Sequence, residues 1–299
     1  MELTGLHLIL TYQCTFECDH CFVWGSPWQV GTMSIDIVRR ILRQAKDTPT
    51  VEWIYFEGGE PFLYYQTMLA GIDEALDMGF RVGIVTNGYW ATSEEDAMLY
   101  LTPLAGKIQD LSISSDLFHY SEKVSQQSIY ITQIAEGLNL PLGVISIEQP
   151  ECPAVSTVGQ LPPESVSIMY RGRAAEKLAS KAIQYPSEVF TSCPYENLTD
   201  PGRVHIDPLG NLHICQGISL GNLFTITLKD ICDQYEPDSH PIVGPLLNGG
   251  PYHLANKYHI PINKVYADAC HLCYETRKLL RDQFPDILLP DQMYMVVDA

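Results

Sequence analysis

Residues 6–21 read LHLILTYQCTFECDHC, an apolar run, a short polar turn and then Cys14, Cys18 and Cys21 in the spacing C-x3-C-x2-C. The run at 6–10 is a strand candidate, so the cysteines sit directly after a strand. Further along, a helix is expected over 34–45, with Ser34 as N-cap and Ile35, Val38, Ile41 and Leu42 on one face. Strands are expected at 52–56, 81–86, 111–115 and 142–147, and a sixth at 165–170. Helices at 64–78, 93–101 and 121–135 lie between them. Such alternation implies a parallel sheet. Eight β–α repeats close a full barrel, whereas the six counted here give an open one. The expected fold class is therefore α/β, a partial (β/α)6 TIM-like barrel. In such barrels chemistry sits on the loops after the strands, so chemical residues should follow strands directly.

After about Gln184 the rhythm stops and proline and glycine become frequent. Two short strands are expected at 203–206 and 212–215, joined by the turn-rich Asp207-Pro208-Leu209-Gly210-Asn211. A helix is expected at 228–234, loop over 237–261, and a last helix at 273–284. The expected division is a barrel domain over 1–185 and a smaller C-terminal domain over 186–299.

Acidic residues outnumber basic ones by 36 to 18, giving a net charge of −18. That balance opposes binding to a phosphate backbone, so no nucleic-acid partner is expected. No run of 18 apolar residues occurs, so no membrane span is expected, and the N-terminus lacks the features of a signal peptide. A cytoplasmic protein is expected. In a reducing compartment disulfides account poorly for nine cysteines, an odd number, and two tight groupings point to metal instead.

Three thiolates on one short loop can hold three irons of a [4Fe–4S] cube and leave the fourth iron open to a substrate or cofactor. The competing reading is a structural zinc site that recruits His20 as fourth ligand. The spacing and its place after the first strand resemble the radical S-adenosylmethionine (SAM) superfamily. The resemblance implies that the open iron binds SAM, that the reduced cluster cleaves it, and that a 5′-deoxyadenosyl radical takes a hydrogen atom from the substrate. It also places His20, where the family usually has an aromatic residue, beside the adenine; the plainer reading is a solvated loop histidine.

Further motifs carry the resemblance. Glu57-Gly58-Gly59-Glu60-Pro61 follows the second strand, and two glycines let backbone approach a ligand closely. It looks like the family's Gly-Gly-Glu-Pro motif, which implies contact of Gly58, Gly59, Glu60 and Pro61 with the SAM methionyl amine. Thr86-Asn87-Gly88 ends the third strand as the family's Thr-Asn-Gly does, beneath SAM; a polar turn explains it equally. Ser114 and Asp116 match a Ser-x-Asp pattern near the SAM ribose and carboxylate, although Leu117 replaces the usual glycine. Helix capping by Asp116 is the alternative. Gly172-Arg173-Ala174 also resembles the family, and the fork of Arg171 or Arg173 suits either the SAM carboxylate or a surface acid.

Cys193, Cys215, Cys270 and Cys273 come from distant segments and can close a four-ligand site. Gly210-x4-Cys215 followed by Gly221-Asn222 resembles the SPASM/twitch extension, in its shorter twitch form. This implies a small C-terminal twitch-type iron–sulfur domain with one auxiliary [4Fe–4S] cluster for electron transfer; a four-cysteine zinc ribbon is the alternative. Cys232 reads as core. Cys152, in a proline-flanked loop after the fifth strand, is a candidate hydrogen-atom donor, with an incidental thiol as the plainer reading. Tyr12, Tyr89, Tyr120 and Tyr170 are candidate pocket residues, with ordinary packing the plainer reading.

The expected function is a radical SAM enzyme acting on a small-molecule or natural-product substrate, with an electron donor such as flavodoxin or ferredoxin. The alternative is a peptide maturase modifying a ribosomal peptide. Because the first strand begins so near Met1, no separate leader-binding domain is expected, which favours the first reading. A non-catalytic metal-binding protein is a third reading, disfavoured by the full motif set.

Overall fold

Strand β1 (Leu3–Thr11) is buried at every position except Thr4. Its apolar continuity has a simple cause: it lies inside the sheet with a parallel neighbour on each side. The computed structural model describes residues 1–150 and 165–295. Helix α1 (Ile35–Lys46) follows, then β2 (Trp53–Gly58), α2 (Tyr65–Asp77), β3 (Arg81–Thr86), α3 (Glu94–Leu101), β4 (Asp110–Ser114), α4 (Gln126–Gly137), β5 (Leu142–Ile147) and β6 (Ser165–Val166). Strands β1 to β6 pair in chain order and all in parallel. Ser34, Ser93 and Ser125 cap α1, α3 and α4 through their hydroxyls, which fixes where each helix leaves its loop. The expected start of α4 at 121 moves to 126 because Ser125 is the cap.

The second half differs from expectation in four places. After α5 (Arg173–Lys177) and β7 (Tyr185–Pro186), β8 (Gly202–Ile206) pairs parallel with β1. With β9 (Asn211–Cys215) and β10 (Ile218–Asn222) it extends the sheet to the order β10-β9-β8-β1-β2-β3-β4-β5-β6. The sheet therefore runs on past the boundary expected near 185. The sixth strand is two residues long where six were expected. Third, the segment 237–261 holds helices. After α6 (Leu228–Gln234) come α7 (Val243–Leu247) and α8 (Gly250–Lys257), with Pro251 in the first turn of α8 where its missing N–H costs nothing. Strand β11 (Val265–Tyr266) pairs with β7. Helix α9 (Ala269–Leu280) begins four residues before the expected 273, because Asp268 caps it by accepting from the His271 N–H at 2.7 Å. Cys270 and Cys273 thus share one face of its first turn.

Among the described residues no helix is long and apolar enough to cross a membrane.

Candidate active site

A cavity of about 410 Å³ occupies the open barrel, and Cys14, Cys18, Cys21 and His20 line it. The cysteine loop is fixed by backbone. The Gly59 N–H donates to the Thr11 carbonyl at 2.7 Å and the Glu60 N–H to the Gln13 carbonyl at 2.9 Å. A Cβ on Gly59 would lie 2.1 Å from the Gln13 oxygen, so only glycine lets the two loops meet. Hydrogen bonds reach the sulfurs as well: the Gly25 N–H donates to Cys21 Sγ at 3.2 Å, and the Asn87 side chain to Cys14 Sγ at 3.5 Å. Burial pushes the Cys14 thiol up to about 12, with Glu60 and Cys21 adding to it. Burial and then Cys21 and Cys14 raise Cys18. Such thiols become thiolates only against a cationic centre. The residues fit a metal-cluster site, and the His20 Nδ1 is buried beside it with no protein hydrogen-bond partner. Burial holds His20 down to about 3, so its ring is neutral.

Gly58, Gly59, Thr86, Asn87, Ser114 and Arg171 also line the cavity. Other motif residues are turned to different work. The Glu60 carboxylate, fully buried, accepts from Phe62 N at 3.0 Å, Thr86 Oγ1 at 2.8 Å and Asn87 N at 2.8 Å. It ties the Gly-Gly loop to the Thr-Asn-Gly loop, and Pro61 opens the turn behind it. Burial raises Glu60 to about 7 against the donors that favour its charge. Asp116 is 1 % exposed and accepts from the backbone N–H groups of Phe118, His119 and Ile147 and from His119 Nδ1. Burial would raise its pKa, but His119 holds it below the usual carboxylate value. Asp116 is thus a turn cap that presents His119 to the cavity, which is the capping alternative.

The two arginines separate. Arg173 donates to the Cys18 carbonyl at 2.8 Å and the Gly25 carbonyl at 2.9 Å, and its own N–H meets the Cys21 carbonyl at 3.0 Å. It clamps the cysteine loop from behind, and a Cβ on Gly172 would strike the Phe22 carbonyl at 2.6 Å. Arg171 faces inward, pairs with Glu196 at 2.9 Å and donates to Cys215 Sγ at 3.4 Å. Its acid is therefore a half-buried one inside the protein.

Cys193, Cys215, Cys270 and Cys273 surround a second, much smaller cavity of about 20 Å³, with Arg171 and Arg277 beside them. Arg171 lines both cavities. Burial pushes Cys193 up to about 12, and Cys215 and Cys273 add to it. Burial would lower Arg171, yet Cys215, Glu196 and Cys270 hold it above its ordinary value. Cys232 is buried in the core against α1, as its setting implied. Cys152 lies outside the described residues.

The barrel floor was missed by sequence reasoning. His7, Tyr55, Glu57, Asp110, Ser112 and His205 line the cavity below the cysteines. They arise from two-residue periodicity: Tyr55 and Glu57 on β2, Asp110 and Ser112 on β4, Arg203 and His205 on β8. Strand register places His205 opposite His7, His7 opposite Tyr55, Tyr55 opposite Gly83 and Gly83 opposite Asp110. Gly83 leaves the space through which Tyr55 donates to Asp110 at 3.0 Å; a Cβ there would lie 2.2 Å from the tyrosine ring. Polar residues alternating within buried parallel strands were the available signal.

Comparison with known proteins accords with this geometry. Residues 8–113 match the Radical SAM superfamily. A peptide biosynthesis protein of Bacillus subtilis (YydG) is 26% identical over 111 residues, which are 37% of this chain and 35% of that protein. The tungsten-containing aldehyde ferredoxin oxidoreductase cofactor-modifying protein of Pyrococcus furiosus is 36% identical over 90 residues, 30% of this chain and 25% of that protein. The chain thus matches about a quarter to a third of the length of these relatives. The crystal structure of BtrN with AdoMet and 2-DOIA superposes with a TM-score of 0.50 at 16% identity, covering 77% of this chain and 83% of that one. This last likeness is one of fold.

Proposed function

We propose that this chain, which belongs to the radical SAM superfamily through its domain at residues 8–113, is an enzyme that reductively cleaves SAM and abstracts a hydrogen atom from a small-molecule or natural-product substrate. Cys14, Cys18 and Cys21 would hold the SAM-binding [4Fe–4S] cluster. Cys193, Cys215, Cys270 and Cys273, in a twitch-like C-terminal part over 186–299, would hold an auxiliary one. The cluster that Cys14, Cys18 and Cys21 would hold would supply the one-electron reduction that splits bound SAM into methionine and a 5′-deoxyadenosyl radical. The chain's own residues then have definite tasks. Gly58 and Gly59 offer exposed backbone at the SAM end of the cavity. Asn87 orients Cys14, Arg173 fixes the cysteine loop, and the neutral ring of His20 suits a place beside the adenine. Arg171 links the two cavities and balances charge at the second. An external flavodoxin- or ferredoxin-type donor would supply electrons.

The observation that carries this reading is the gathering of Cys14, Cys18 and Cys21 with Gly58, Gly59 and Asn87 around one cavity of about 410 Å³, which leaves room beside the three thiols for a molecule bound at an open cluster position. The polar barrel floor favours a hydrogen-bonding small molecule, as BtrN binds 2-DOIA. The likeness to a peptide biosynthesis protein keeps peptide maturation as the second reading.

The test is anaerobic incubation of the reconstituted protein with SAM and dithionite, with detection of 5′-deoxyadenosine by mass spectrometry. Product from the wild type, absent in the Cys14→Ala/Cys18→Ala/Cys21→Ala variant, is expected. Equal product from that variant would sink the reading.

A further inference from the structure

The barrel floor holds a group of side chains to which the reading above gives no task. His7 on β1, Glu57 on β2 and His205 on β8 bring their ligand atoms within 4.8 Å of one another. His7 Nδ1 lies 3.0 Å from Glu57 Oε2, and His205 Nε2 lies 3.0 Å from Glu57 Oε1. Tetrahedral metal bonds of 2.0 to 2.1 Å place neighbouring N and O ligands about 3.3 Å apart, a few tenths of an ångström from this spacing. His7 Nδ1 bonds one carboxylate oxygen and His205 faces the other, so Glu57 lies between the two rings with all three groups converging on one point of the cavity wall.

The rings are held in place before any ion arrives. Tyr55 stacks on His7 with centroids 4.5 Å apart and planes 10° from parallel. Phe22 packs on His205 at 5.6 Å. Three strands fix the three backbones, and β8 comes from the C-terminal part of the chain, so the site forms only in the complete sheet. The other group of this kind, His20, Asp116 and His119, carries less: its carboxylate is occupied by three backbone N–H groups, and its His20 lies on the cysteine loop.

We infer that His7, Glu57 and His205 form a mononuclear zinc site on the floor of the barrel cavity. Two imidazoles and one carboxylate suit zinc or a similar first-row ion, and are a poor match for the all-oxygen preference of calcium or magnesium. All three residues line the cavity, so the remaining coordination position faces the substrate space. Three protein ligands with one open position is the arrangement of a metal that acts on substrate. The ion would hold and polarise a hydroxyl, carbonyl or carboxylate oxygen of the substrate. The competing state is a metal-free triad in which both imidazoles serve the carboxylate.

The experiment uses anaerobically reconstituted protein with its iron and sulfide quantified. One equivalent of Zn²⁺ is added, loose ion is removed by desalting, and zinc content and zinc K-edge absorption are compared before and after. One additional zinc per chain is expected, with only nitrogen and oxygen neighbours at about 2.0 Å. No retained zinc, or new sulfur neighbours at about 2.3 Å, overturns the site. Glu57→Gln and His205→Gln should each weaken zinc binding by at least about 100-fold while retaining cluster iron, since loss of a mere outer-shell partner already costs 10- to 100-fold. If either variant fails to fold, the wild-type spectrum alone decides. Failure here leaves 5′-deoxyadenosine formation untouched as a separate result.

Discussion

The two cysteine groups solve opposite problems. Cys14, Cys18 and Cys21 stand on a loop at the edge of a cavity of about 410 Å³, held by backbone hydrogen bonds and by glycines no other residue could replace. Cys193, Cys215, Cys270 and Cys273 come from a loop, a strand and a helix, and enclose about 20 Å³ between Arg171 and Arg277. Arg277 is 1 % exposed and bonds Gln216 and Tyr294. Three ligands beside open space suit a centre that must bind another molecule. Four ligands with buried guanidiniums suit a centre that only changes charge. Arg171, touching both, is where the two regions communicate.

The contrast can be broken by mutation. The largest effect is expected for Cys14→Ala/Cys18→Ala/Cys21→Ala, which should reduce 5′-deoxyadenosine to background while keeping the iron of the second group. Next, Cys270→Ala/Cys273→Ala should remove about half of the total iron, as one of two four-iron centres. SAM cleavage by the first group should survive; unchanged iron would refute the second centre.

Glu60→Gln comes third. It places an amide group against backbone donors and should cost about 1–3 kcal/mol, visible as a thermal midpoint lower by several degrees. Its pH dependence sharpens the test. Burial raises Glu60 from 4.5 to about 7, so the folded state binds a proton that the unfolded state has released. Its contribution is therefore fully present below pH 4.5 and lost as pH rises towards 7. The variant should flatten that part of the stability profile, and an unchanged slope between those values would contradict the assignment. The smallest effect is expected for Arg171→Gln. Removing a positive charge beside Cys215 should make the second centre harder to reduce, by on the order of tens of millivolts in a potentiometric titration.

Much of this was readable in the chain. The strand-then-cysteine stretch, the β–α alternation and the grouping of cysteines are local patterns, and the corresponding groups are close in space. What escaped depends on tertiary structure. That β8 would join β1 is a long-range pairing with no local signature. Glu60, Asp116 and Arg173 carry the right chemistry for a ligand, yet each is consumed by neighbouring backbone groups. Motif spacing fixes where such residues stand and leaves open which way they face. Cys270 looked like a residue before a helix, until the Asp268 cap put it inside the first turn. The histidine pair of the floor is split across the chain, at His7 and His205, and only register unites it.

The most direct test of the open and closed pair is electron paramagnetic resonance of the reduced protein with and without SAM. SAM should shift the signal of the first centre and leave that of the second unchanged, and the shift should persist in Cys270→Ala/Cys273→Ala. A SAM-induced change confined to the second centre, or no change in either with SAM shown to be bound, would contradict the division of roles between them.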